Sequence, residues 1–277
     1  AVDLGTNPGG NLDLAMAMIR AAKDAGCDFV KGQRRTPELA VPQHEWNDIR
    51  DTPWGRMPKL VYRHRVEFSD EQWAKLLWFA ASIGIPIFAS VWDLPSLESM
   101  ERLGSPCHKI PSARAHNLDL IRAAAATGKP VIISTGMCEM TDVEAAVNAA
   151  RTGGGISRMD NLILLACTTA YPARHDESNL RVIQTYKQSF GCPVGFSSHK
   201  IGIQTCLLAV AVGANVIERH ITLSRDAKGS DHRMSSEPED LARLVKEIRY
   251  AEACLGDGRK IVYPSEESER KRLRGTA

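Results

Sequence analysis

A single-domain (β/α)₈ barrel, the TIM-barrel architecture, is the fold class this sequence predicts. Short apolar runs alternate with longer segments of helical period, which calls for a parallel sheet with helices between its strands. Eight such strand–helix pairs can be counted, the number that closes a barrel. At 277 residues the chain also has the length of one barrel, about 250 residues in a typical case, without needing a second core.

In order, the strands are expected at 2–5 (VDLG), 27–31 (CDFVK), 85–90 (IPIFAS), 107–110 (CHKI), 130–134 (PVIIS), 161–167 (NLILLAC), 193–196 (PVGF) and 215–219 (NVIER). Helical period places helices at 11–25, 69–83, 94–103, 117–127, 141–152, 178–189, 202–212 and 237–255. Several open on Asn, Ser or Thr, whose side chains accept from the free N–H groups of a first turn. A doubly wound sheet is the rival, but it has fewer strands and a glycine fingerprint after the first one. Gly5-Thr6-Asn7-Pro8-Gly9-Gly10 lacks that spacing.

The stretch 34–67, with Pro37, Pro42, Pro53 and Pro58, reads as a long irregular loop. Loops of this length in compact domains are functional or mobile, so it is expected to be a lid over the barrel mouth, carrying Arg34, Arg35, His44 and Trp46. Residues 261–277 are charged and poor in apolar side chains, and read as a frayed tail after a catalytic domain at 1–260.

Charge narrows the partners. With 35 Lys+Arg against 33 Asp+Glu the formal charge is +2, which supplies no basic field for nucleic acid. No apolar run approaches the roughly 18 residues of a membrane span, and the N-terminus has no signal-peptide layout. A small molecule is the expected partner. Seven cysteines without a CxxC, several in apolar surroundings (Cys27, Cys107, Cys167, Cys206), read as reduced thiols of a cytoplasmic protein. A start at Ala1 rather than Met points to residues missing or processed.

Catalytic groups of such a barrel sit where strands end. Here those positions hold Asp3, Lys31 with Gln33, Ser90 with Asp93, Lys109 with Ser112, Ser134 with Thr135, Thr168 and Thr169 with Tyr171, Ser197 with His199, and Glu218 with His220. Lys31 and Lys109, from the second and fourth strands, would meet over one phosphate or carboxylate, with the hydroxyls of Ser90, Ser112, Ser134 and Ser197 completing the cradle. Thr169 is read as a further substrate contact, and Asp3, Lys31, Glu218 and His220 as the catalytic set. His199 and His220 leave neighbouring strands beside polar partners, as two ligands of one divalent ion do. Asp231, in the polar segment 227–240, either joins that site or is a turn residue after Gly229-Ser230.

These residues lie within motifs that resemble one family. FVKGQ (29–33), FASVWD (88–93), HKIPS (108–112), IISTGM (132–137), CTTAYPA (167–173), GFSSHKIGI (195–203), GANVIERHITL (213–223) and KGSDHRMSSEPEDL (228–241) resemble, in order, the motifs of the sialic acid synthase family. The resemblance implies a barrel enzyme that condenses phosphoenolpyruvate with a sugar aldehyde to give a 2-keto-3-deoxy sugar acid and phosphate. It implies that Lys31, Ser90, Lys109, Ser112, Ser134 and Ser197 hold phosphoenolpyruvate. It further implies that His199 and His220 bind Mn²⁺, with Mg²⁺ or Co²⁺ as alternatives, and that Gln33, Tyr171 and Asp231 contact the sugar. Asp3 stands where the family commonly has a catalytic Glu, and a homodimer is compatible with the resemblance. A Schiff-base aldolase or lyase using Lys31 or Lys109, and a non-catalytic sugar- or phosphate-binding barrel, are the alternatives.

Four departures bear on the acceptor. The strand-1 acid is Asp3, followed by Asn7-Pro8-Gly9-Gly10 in place of Asn-His-Asn-Gly. Gly32 stands where an aromatic is common, and Arg114 stands where a Glu reaches the sugar. Arg114 is therefore expected to contact the acceptor and to favour an oxygen acceptor or an anionic group over N-acetylmannosamine. Typical members continue into an antifreeze-like domain that covers the sugar, whereas this sequence ends at Arg274-Gly275-Thr276-Ala277. The expectation is that segment 34–67 takes over that covering role.

Overall fold

Strands buried on both faces read as continuous apolar runs, and that is what closes this barrel. In the computed structural model, which describes residues 1–156 and 159–275, β5 (Ile87–Val91), β6 (His108–Ile110), β7 (Val131–Ser134) and β9 (Val194–Ser198) are buried at every position. With β1 (Val2–Asp3), β2 (Val30–Arg34), β8 (Leu162–Cys167) and β10 (Ile217–His220) they form one closed parallel barrel, in the order β1-β10-β9-β8-β7-β6-β5-β2. The remaining two strands, β3 (Ile49–Thr52) and β4 (Gly55–Pro58), pair antiparallel outside it.

Register sets the polar strand ends against each other. Asp3 lies level with both Lys31 and His220, Ser90 with both Gln33 and Lys109, and Ser197 with both Glu218 and Cys167. Helix starts follow the expected caps: the side chains of Asn11, Ser69, Asp93 and Asn117 accept from Leu14, Gln72, Ser96 and Leu120 N–H groups.

Three segments differ from expectation. The second strand runs over 30–34 rather than 27–31, because its ladder with β5 begins at Val30, opposite Ile87, and continues through the polar Gln33 and Arg34, opposite Ser90 and Val91. Segment 34–67 is ordered rather than irregular: helix Pro37–Ala40, a 3₁₀ turn at Gln43–Glu45, the β3–β4 hairpin and helix Lys59–Val66. Its prolines sit at element boundaries rather than breaking elements: Pro37 occupies the first helical turn behind Thr36, Pro53 lies in the turn between β3 and β4, and Pro58 ends β4 just before the helix at Lys59. The C-terminal segment carries a helix, Glu267–Arg274, wholly exposed, so it is not frayed over that span; 276–277 lie outside the described residues.

Gly32 has a packing cause. A Cβ there would meet the Trp73 ring at 2.7 Å, so the aromatic bulk expected on β2 arrives instead from helix Asp70–Ser82.

Candidate active site

A cavity of ≈ 320 Å³ opens at the C-terminal ends of the strands, and Lys31, Lys109 and Glu218 lie at its floor. Lys31 Nζ lies 2.8 Å from Asp3 Oδ2 and 3.2 Å from Glu218 Oε1, and Lys109 Nζ lies 3.4 Å from Glu218 Oε2. All four side chains are buried, so the attractions act with little screening by water. Burial would raise Glu218, but Lys109 and Lys31 hold it well below the usual carboxylate range. Burial would lower Lys31, but Asp3 and Glu218 keep it above the ordinary lysine value. Lys109 goes the other way: burial, added to repulsion from Lys31, outweighs the attraction of Glu218 and brings it to about 8.

Hydrogen bonds fix the carboxylates. Ser197 Oγ donates to Glu218 at 2.9 Å, and Gln33 Nε2 donates to Asp3 at 3.0 Å while its own oxygen accepts from Trp92 Nε1 at 2.9 Å. On the wall, Gly136 N–H donates to Ser112 Oγ at 3.0 Å, whereas the buried hydroxyls of Ser134 and Thr169 have no partner among the described residues. A Cβ at Gly136 would fall 2.1 Å from Thr169 Oγ1, so only glycine lets these hydroxyls gather.

The two histidines converge. Their ring centroids are 5.5 Å apart, and the Tyr171 ring stacks on His199 at 4.2 Å. His199 Nδ1–H donates to the Thr168 carbonyl at 2.9 Å, which leaves Nε2 as its lone-pair nitrogen. His220 Nε2 is 3.4 Å from Asp3 Oδ2, and its Nδ1, 3.8 Å from Asp231 Oδ2, is buried without a hydrogen-bond partner. Asp231 is a site residue as well as a loop residue: its Oδ2 accepts from Thr6 N at 3.2 Å and Thr6 Oγ1 at 3.0 Å. Burial would raise Asp231, but His220, Ser230 and Thr6 hold it below the usual carboxylate range. The Thr6 backbone reaches it because Gly5, at φ +56°, has no side chain; a Cβ there would meet His220 Nδ1 at 2.6 Å.

From segment 34–67, Arg35, Arg50, Tyr62 and Arg63 line this cavity. Of the four lid residues expected, only Arg35 lines it. Arg34 pairs with Asp70, His44 points to solvent beside Glu45, and Trp46 donates to the Val41 carbonyl within the lid.

Most of the expected site residues are brought together here, but two are not. Ser90 is wholly buried and is absent from the cavity wall. Arg114 also turns from the cavity: it donates to the Leu39 carbonyl at 2.7 Å and lies 5.8 Å from the Trp92 ring centroid, joining the lid to the barrel. The same joint uses Asp93, which accepts from Thr36 N–H and Oγ–H. Sequence reasoning missed Thr6, Trp92 and Cys167, each next to a strand end, and Arg50 and Arg63, for which no strand end gave a signal. Burial would raise the Cys167 thiol, but His199 and Lys109 hold it below its ordinary value.

The NeuB family model matches residues 18–260. The chain belongs to the NeuB family. It is 36% identical to the N,N'-diacetyllegionaminic acid synthase of Legionella pneumophila over 93% of the chain and 73% of that relative. It is also 36% identical to the N-acetylneuraminate-9-phosphate synthase of Mus musculus over 95% of the chain and 73% of the relative. A crystal structure of N-acetylneuraminic acid synthetase from Leptospira borgpetersenii serovar Hardjo-bovis, in complex with citrate, superposes with a TM-score of 0.87 at 32% identity, covering 99% of this chain and 92% of that one. Membership in the NeuB family bears out the family, the barrel and the enzyme class expected from the motifs, a transferase forming a C–C bond, and sets aside the binding-only alternative.

Proposed function

We propose that this enzyme condenses phosphoenolpyruvate with a sugar aldehyde to give a 2-keto-3-deoxy sugar acid and phosphate. The observation that carries this is the floor. Two buried lysines bracket one buried carboxylate beside hydroxyls that lack partners, an arrangement poised to take a multiply charged anion.

Lys31 and Lys109 offset the charge of phosphoenolpyruvate as preorganised cations, while Ser112, Ser134, Thr169 and Ser197 supply hydroxyls to its oxygens. Tyr171 packs against His199, Gln33 is held by Trp92, and Asp231 is held by Thr6, so all three present fixed polar groups to the sugar. C3 of phosphoenolpyruvate attacks the aldehyde carbon, leaving C2 cationic. Water then adds to C2, and the bond from C2 to the phosphate oxygen breaks to leave the ketone. Asp3, beside Lys31 and His220, is placed to accept the proton from that water.

His199 and His220 fit a divalent cation. The first has its tautomer set by a carbonyl, and the second carries a buried nitrogen without a hydrogen-bond partner. Among the described residues no group of three or more His, Cys, Asp or Glu side chains forms a ready metal cage, so water and substrate oxygens would complete the shell. Mn²⁺ suits that mixed nitrogen and oxygen set, with Mg²⁺ or Co²⁺ as alternatives. A cation held there supplies Lewis acidity toward the aldehyde oxygen.

One observation favours a second reading. Lys109 at about 8 has the lowered basicity of a Schiff-base amine. Borohydride with pyruvate separates the two: a covalent adduct on Lys109 supports the aldolase. Phosphate release with formation of a 2-keto acid, from phosphoenolpyruvate, Mn²⁺ and a panel of N-acetylhexosamines and aldoses, supports the condensation. No release with any acceptor, together with no binding of phosphoenolpyruvate, overturns it. All seven cysteines are free, and no helix among the described residues is long and apolar enough to cross a membrane; we place the enzyme in the cytoplasm on the first of these.

A further inference from the structure

Three donors converge on Asp3, the residue read above as the acceptor of the water's proton. Lys31 Nζ lies 2.8 Å from Oδ2, Gly5 N–H donates to Oδ1 at 2.9 Å, and Gln33 Nε2 donates to Oδ2 at 3.0 Å. A carboxylate offers about four lone-pair directions, so three fixed donors leave one for a proton arriving from the cavity. The backbone sets Gly5 N–H, and burial between Asp3 and Glu218 sets Lys31. The Gln33 amide is different. Its two ends exchange by half a turn about the last side-chain bond, and only one of them is a donor.

Trp92 settles which end faces Asp3. An indole nitrogen only donates, and Trp92 Nε1 donates to Gln33 Oε1 at 2.9 Å, so the amide oxygen turns to Trp92 and the NH2 to Asp3. The reverse placement would bring two acceptors together, setting the amide oxygen against the carboxylate at the 3.0 Å that Nε2 now occupies. The indole is itself held from both sides. Trp92 N–H donates to the Arg34 carbonyl at 3.2 Å, and the next residue, Asp93, caps helix Leu94–Arg102 by accepting from Ser96 N–H at 2.8 Å.

From this chain of contacts we infer that Trp92 is a positioning residue for the proton transfer to Asp3: its N–H fixes the Gln33 amide, and the amide fixes the carboxylate. The inference rests on the condensation reading, in which water adds to C2 and gives its proton to Asp3. The competing role for Trp92 is bulk, since Arg35 and Arg114 lie 5.2 and 5.8 Å from its ring centroid where segment 34–67 meets the barrel. The two roles use different parts of the side chain. Positioning needs the nitrogen, and bulk needs the ring area.

Two substitutions separate them. Trp92→Phe keeps a six-membered ring and removes the donor, whereas Trp92→His gives up the six-membered ring and keeps an N–H at the same place in the five-membered one. With phosphoenolpyruvate, Mn²⁺ and an acceptor from the panel above, Trp92→Phe is expected to lower kcat about tenfold and to leave the Kd of phosphoenolpyruvate unchanged. Trp92→His is expected to recover most of that loss. In a Gln33→Met background the two substitutions should have equal effects, because the amide through which Trp92 acts is gone. An undiminished kcat in Trp92→Phe, or a loss in Trp92→His as large or larger, overturns the inference while leaving the condensation reading intact. Isotope-edited NMR of the phosphoenolpyruvate-loaded protein reads the amide directly: solvent exchange of the Gln33 NH2 protons should be slow in the wild type and Trp92→His, and fast in Trp92→Phe. Where no acceptor turns over, this measurement decides alone, and the same exchange in all three proteins overturns the inference. Failure of phosphoenolpyruvate itself to bind removes the condensation reading, and the role in proton transfer with it.

Discussion

Lys109 Nζ and Glu218 Oε2 lie 3.4 Å apart with both groups buried, yet Lys109 is held at about 8, well below its ordinary 10.5. The attraction of Glu218 does not outweigh burial together with the neighbouring charge of Lys31. Because only the protonated amine attracts an anion, affinity for phosphoenolpyruvate is expected to be full below about pH 8 and to fall as pH rises through it. Stability moves oppositely. Between about 8 and 10.5 the unfolded chain binds more protons at this lysine than the folded one, so its contribution favours folding as pH rises. The apparent Kd for phosphoenolpyruvate from pH 7 to 10 checks this, and Lys109→Arg should move the fall to higher pH. A flat wild-type profile would show that Lys109 is not a binding cation.

Glu218 separates two buried cations, so its removal leaves Lys109 without a carboxylate partner and Lys31 with Asp3 alone. Glu218→Gln is expected to cost about 3–5 kcal/mol of stability, as breaking a buried ion pair does. Phosphoenolpyruvate brings negative charge to the same lysines and should restore part of that loss. The expected signature is a larger rise in Tm on adding phosphoenolpyruvate to the variant than to the wild type. An equal rise in both would mean that the ligand binds elsewhere.

Much of this was legible because a barrel converts chain order into space. A polar residue that ends an apolar run must reach the mouth, so Lys31, Lys109, Ser197, Glu218 and His220 could be placed from position alone. Ser90 obeys the same rule and is still walled off, since the rule fixes the level of a residue and not what packs above it. The lid resisted reading for a different reason. Its short elements carry no period, and Arg50 and Arg63 reach the cavity only through the β3–β4 hairpin and the helix that follows it. Gly32 read as a missing aromatic because nothing local reveals that Trp73, 41 positions later, fills its place.

Gly5 is the point at which backbone and candidate metal site touch. A Cβ would meet His220 Nδ1 at 2.6 Å and Asp231 Oδ2 at 2.8 Å, and φ at +56° already disfavours any other residue. Gly5→Ala should cost about 1–2 kcal/mol in the backbone. It should lower turnover far more, by about 100-fold, because a displaced imidazole loses its orientation. Mn²⁺ calorimetry on the wild type, Gly5→Ala, His199→Ala and His220→Ala checks the cause: affinity should fall in all three variants. Chelation should abolish wild-type turnover, with Mn²⁺ restoring it. Undiminished Mn²⁺ binding by His220→Ala would place the ion elsewhere.

Arg114 was expected to select the acceptor, and its position assigns it a different task. Its guanidinium donates to the Leu39 carbonyl and lies near the Trp92 ring, and Trp92 in turn holds Gln33. Any effect of Arg114 on the acceptor is therefore expected to run through helix Pro37–Ala40 and not through its own charge. Arg114→Ala removes one hydrogen bond, worth about 1 kcal/mol, that holds helix Pro37–Ala40 against the barrel. A looser lid should weaken every acceptor alike, by about fivefold in kcat/KM, and should leave the ratio between N-acetylmannosamine and other acceptors unchanged. Arg114→Glu should behave in the same way, since the carboxylate cannot donate to Leu39 and does not face the cavity. Steady-state kinetics of both variants with N-acetylmannosamine and a second acceptor separates the two roles. A selective gain for N-acetylmannosamine in Arg114→Glu would return position 114 to the acceptor site, whereas a uniform loss identifies it as the residue that keeps the arginine-bearing lid in place.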